Sequence, residues 1–149
     1  MLRRVEFACA CVLLGAVVVL VGLAAITRYG GSPIIWSVEI AQLMFLWLCV
    51  LAIDLGLQDE RHFGILLLQE NVSPRLRKAI EIINILILIA LLVFLLRYAW
   101  RNTIIMHARM DGALQIPGSF YHASMVVGFA LMIRTLLARL LATLRRGDA

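Results

Sequence analysis

The chain has 149 residues, 63% hydrophobic and only 15% charged, with a formal net charge of +5 and a mean hydropathy of +0.97. Soluble domains are roughly half apolar and a quarter charged, so a disordered chain, a fibrous one and a water-facing enzyme are all excluded. A small polytopic membrane protein remains, expected as one domain over residues 1–149.

The first apolar run lies between Glu6 and Arg28, enough for the ~20 residues of a membrane-crossing helix. Leu2-Arg3-Arg4 precedes it as in a signal peptide, but the run exceeds the roughly 7–15 residues of a signal core. A retained span over about 6–28 is therefore expected. Ser32-Pro33 places a proline where a second helix can begin. That span covers about 34–57, uncharged from Ile40 to Ile53 before Asp54. Phe63 and Ile65–Leu68 follow, between Glu60-Arg61-His62 and Gln69-Glu70-Asn71. This piece is too short to cross and is expected along the interface.

Ser73-Pro74 opens the third helix, which no glycine or proline interrupts until about His107. Such a helix is about 50 Å long, more than the bilayer is thick, so it should tilt or project. Its span is placed at 76–104, and Ile116-Pro117 opens a fourth at 116–138. The fold class is thus all-α, a polytopic protein with four transmembrane helices, a long tilted third helix and a short interfacial segment.

Lysine and arginine set the orientation. With both termini cytoplasmic, ten basic residues lie inside: Arg3, Arg4, Arg61, Arg75, Arg77, Lys78, Arg134, Arg139, Arg145 and Arg146. Four lie outside, namely Arg28, Arg97, Arg101 and Arg109. Trp36 and Trp100 then fall near the outer interface, where aromatic belts form. The basic excess therefore reads as topology, and nucleic acid is not an expected partner.

The chemistry-bearing residues are few. Cys9, Cys11 and Cys49 form no CxxC pair, so they read as small apolar packing residues rather than a redox or zinc site. No ionisable group sits at a span centre, where a self-sufficient proton-coupled exporter needs one. His107 and His122 could in principle ligate haem in a redox-complex anchor, but they lie at span ends rather than within spans. No cofactor, metal or catalytic residue is expected. Arg28 and Glu39 flank the first outer loop, either as an ion pair stapling the hairpin or as a contact with another subunit. Trp36 and Gln42 belong to the same region, Gln42 one turn after Glu39. Arg97 and Arg101 share a face and either anchor to membrane lipid or dock an acidic partner, with Arg109 nearby. Asp54 and Arg134 form a candidate pair on the inner side.

Taken in order, these landmarks resemble the DctQ-like small membrane subunit of tripartite ATP-independent periplasmic (TRAP) transporters. The stretch Thr27-Arg28-Tyr29, Gly31-Ser32-Pro33-Ile34-Ile35-Trp36-Ser37-Val38-Glu39 and Gln42-Leu43-Met44-Phe45-Leu46-Trp47-Leu48 is the most telling. His62 with Ser73-Pro74-Arg75-Leu76-Arg77-Lys78, then Ile116-Pro117 and Gly128-Phe129-Ala130-Leu131-Met132 before Arg134, extend the match over about residues 20–137. Three positions depart: Val38 replaces the first of an acidic pair, an apolar residue near Leu66 replaces an aspartate, and Asp54 stands where the family is small or apolar.

The resemblance implies a symport system for uptake of an organic anion, such as a carboxylate or sugar acid, in a bacterial inner membrane. It implies two protein partners: a large transmembrane subunit that carries the substrate and sodium sites, and a periplasmic substrate-binding protein. This chain would be the stationary accessory scaffold between them. Gly15, Gly22 and Gly128 are expected to allow close approach of the large subunit.

Overall fold

A computed structural model describes residues 2–32, 34–59 and 74–145. Four helices account for nearly all of them: α1 (Leu2–Tyr29), α2 (Ile35–Gln58), α3 (Pro74–Ile105) and α4 (Ser119–Arg145). Each is long and apolar enough to cross a membrane, so the all-α architecture expected from the apolar runs is the one observed. The interfacial segment expected around Phe63 and Ile65–Leu68, with His62, lies outside the described residues.

Helix α3 begins at Pro74, where the missing N–H costs nothing in a first turn. It runs unbroken for 32 residues, about 48 Å, and closes with one 3-10 turn at Met106–Ala108. The other two proline-marked starts shift. Helix α2 opens at Ile35 behind an extended Ile34, because the chain must first reverse through Gly31 at φ 80°; Pro33 lies outside the described residues. Pro117 is not in a helix at all. It pairs with Met110 in a two-stranded antiparallel ribbon, β1 (Met110–Asp111) and β2 (Ile116–Pro117). Gly118 extends that ribbon by donating to the Arg109 carbonyl at 2.8 Å, which delays α4 to Ser119.

The helices pack in the order α1–α2–α4–α3, and the flanking members α1 and α3 make no extensive contact with each other. Such a row covers little of its own apolar surface. Among the described residues the buried apolar side chains are only Ala10, Ala41, Ile85, Ala99, Met132 and Leu136. Lipid tails are as apolar as leucine, so helix association in a bilayer rests on close packing and polar contacts instead. The α2–α4 crossing illustrates the first of these. Ser124, Gly128, Met132 and Leu136 recur every fourth residue as the buried stripe of α4, and a Cβ at Gly128 would overlap the Val50 side chain.

Gly128 is therefore spent on packing within this chain, not on a partner, which corrects the expectation for it. Gly15 and Gly22 do face open space. Cys9 and Cys11 are exposed and Cys49 half-buried, so the first two are not packing residues; a row one helix deep leaves most of α1 uncovered.

Candidate functional site

Polar side chains converge at two levels of the row. The first lies toward the end that carries both chain termini. Arg134 of α4 donates through Nη1 to Glu6 Oε1 on α1 at 2.8 Å, and through Nη2 to Asp54 Oδ2 on α2 at 3.4 Å. Gln58 bridges the two carboxylates, donating to Glu6 at 2.6 Å and Asp54 at 2.8 Å. Thr135 donates to the remaining Asp54 oxygen at 2.9 Å. Among the described residues no buried side-chain polar atom lacks a partner. The cluster is closed upon itself: each of the four carboxylate oxygens of Glu6 and Asp54 accepts a hydrogen bond from Arg134, Gln58 or Thr135. Its chemistry is that of a brace joining α1, α2 and α4. Beside it, Arg139 pairs with Glu81 at 3.2 Å and ties α4 to α3, and Arg3 pairs with Asp59.

The second level lies at the opposite end, where the ribbon between α3 and α4 folds against α2. The Glu39 carboxylate accepts the backbone N–H of Ala113 at 2.5 Å and of Leu114 at 2.9 Å. Gly112 makes this approach possible. It holds φ 75°, and a Cβ there would lie 2.6 Å from the Glu39 carboxyl carbon. Gln115, also left-handed at φ 52°, secures the turn by donating its side-chain amide to the Gly112 carbonyl at 2.9 Å.

Glu39 thus latches α2 to the α3–α4 hairpin. Arg28 makes no ion pair among the described residues, so the Arg28–Glu39 staple is not the contact observed; two preorganised amides on a tight turn take its place. Hydrogen bonds to a charged group contribute about 1.5–3 kcal/mol each. Glu39→Ala should therefore speed amide exchange at Ala113 and Leu114 about ten- to a hundredfold, read by hydrogen–deuterium exchange, with Glu39→Gln intermediate. Unchanged exchange in the alanine variant would remove the latch.

The remaining candidates are dispersed. Trp36 and Gln42 are exposed, and neither joins the Glu39 contacts. Arg97 and Arg101 are exposed on α3 one turn apart, beside Trp100. Arg109 is engaged by Asp111 at 2.9 Å within the ribbon. His107 meets the Ser119 hydroxyl and His122 the Asn102 amide, each at 3.0 Å through Nδ1. Glu6, Gln58, Thr135 and the Glu81–Arg139 pair were not among the residues expected from sequence. Each lies inside a helical run, and no local pattern connects Glu6 with a residue 128 positions away.

A family model described as "Tripartite ATP-independent periplasmic transporters, DctQ component" matches residues 17–146. No curated protein matches the chain.

Proposed function

The chain belongs to the DctQ component family of the tripartite ATP-independent periplasmic transporters, and on that premise we propose that it is a scaffold subunit which transports nothing alone. In this reading a single four-helix domain stands against the large transmembrane subunit, in a bacterial inner membrane with both termini cytoplasmic. The complex takes up an organic anion, such as a carboxylate or sugar acid, by symport, and substrate contacts lie on the other chains.

One observation carries the proposal. The row leaves large apolar side chains exposed along all four helices, from Phe7 and Val18 to Leu141, while the polar groups between its helices satisfy each other. A protein that carried substrate through itself would instead present unsatisfied polar groups to a cavity.

Arg97 and Arg101 then belong at the periplasmic end of α3, where they offer an exposed cationic face to the binding protein. Capture of the tagged chain from its native membrane tests both contacts. A larger polytopic protein and a soluble periplasmic protein should co-purify. The Arg97→Glu/Arg101→Glu variant should keep the first and lose most of the second. Equal recovery of the binding protein with that variant would leave these arginines to lipid, and recovery of neither partner with the unaltered chain would refute the scaffold role.

A further inference from the structure

We propose that the groove between α1 and α2 seats two phospholipids, one in each leaflet, with their phosphates on Arg4 and Arg28. Two cavities lie along this helix pair, about 670 Å³ toward the chain termini and about 720 Å³ at the opposite end. Both fall in the roughly 300–1,000 Å³ range of ligand pockets.

The spacing of their lining residues sets the two in line along the helix pair, and we read them as segments of one trough. On α1, Phe7 and Leu14 line the first cavity while Val21 and Arg28 line the second, a repeat of seven that winds only about 20° per heptad around the helix. On α2, Val38 lines one cavity and Ala52 and Asp59 the other, again separated by multiples of seven. Small residues keep the floor open, with Ala52 and Gly56 in the first segment and Ala24 and Ala25 in the second.

The charges line only the two ends, Arg3, Arg4 and Asp59 at one and Arg28 and Glu39 at the other, where the Ala113 and Leu114 amides hold the Glu39 carboxylate. Arg3 is committed to Asp59, and among the described residues Arg4 and Arg28 form no ion pair. Arg4 and Arg28 are separated by 24 residues of one helix, about 36 Å. That exceeds the ~30 Å hydrocarbon core and falls within the ~40–45 Å that includes headgroups, so each guanidinium reaches phosphate depth in its own leaflet. A guanidinium binds phosphate through two parallel N–H bonds. An apolar trough with a cation at each mouth is complementary to two acyl tails meeting end to end under two anionic headgroups. A partner helix would need an acid at both of its ends to match.

Native mass spectrometry of the purified chain, delipidated and re-supplied with phosphatidylglycerol, tests this. The unaltered protein should retain two phospholipids through detergent exchange. Arg28→Gln should retain one. Arg4→Gln should also retain one, and so should Ala52→Phe, which fills the trough without touching charge. Circular dichroism of each variant establishes that the helices are intact. An unaltered protein that retains no phospholipid, or variants that all still retain two, would overturn the proposal, the first leaving the trough to a protein helix. The scaffold role is tested separately, by partner capture and uptake, because apolar faces on α3 and α4 stay exposed whether or not lipid fills this trough.

Discussion

Replacing Arg134 with methionine should destabilise the protein by about 3–5 kcal/mol, the cost of removing one partner from a buried ion pair. The two carboxylates left behind are nearly inaccessible, with side-chain exposures of 7% for Glu6 and 1% for Asp54. Neither can recover its hydration, and Gln58 alone cannot neutralise them. Arg134 itself is 38% exposed, so where headgroups and water reach the site the loss falls toward the lower end of that range.

The effect is large because this fold has so little else between α1 and α4. A soluble bundle spreads its stability over a packed apolar core, whereas here few apolar side chains are buried at all. The triple variant Glu6→Gln/Asp54→Asn/Arg134→Met should regain most of the loss, because it removes the uncompensated charge while retaining acceptor oxygens for Gln58 and Thr135. Denaturation in mild detergent, followed by tryptophan fluorescence, distinguishes these cases. A methionine variant as stable as the unaltered protein would show that the cluster braces nothing.

Much of the architecture was legible in the sequence because membrane spans are written in continuous apolar runs. Pro74 marked the start of α3, and the absence of Gly and Pro after it gave one long helix. Pro117 misled, since a proline ahead of a helix also suits a ribbon edge, and nothing local separates those uses. The pairing of Gly112 with Glu39 was hidden for a related reason. Gly112 needs its φ of 75° only because a tight turn there brings two amides onto a carboxylate on another helix.

The polar braces show the same division. Asp54 and Arg134 stood out as charges against apolar surroundings, and the structure places them together. Glu6, Gln58 and Thr135 completed the cluster from three helices whose neighbour relations no periodicity reveals. The order α1–α2–α4–α3 is a tertiary fact, and it decides that Gly128 faces Val50 rather than a partner.

We propose that this chain is a necessary but non-transporting part of a larger assembly. Its closed polar clusters and uncovered apolar faces argue for that together: among the described residues the first are engaged with one another, and the second need a partner or lipid to cover them. Uptake into sealed vesicles, driven by an imposed sodium gradient and read with the anion bound by the cognate periplasmic protein, measures this directly. Vesicles holding this chain alone should accumulate no more anion than empty ones. Vesicles holding the large subunit alone should lose nearly all uptake, and those holding both, supplied with the binding protein, should recover it. Gradient-driven uptake by this chain alone, or full uptake by the large subunit without it, would rule out this role.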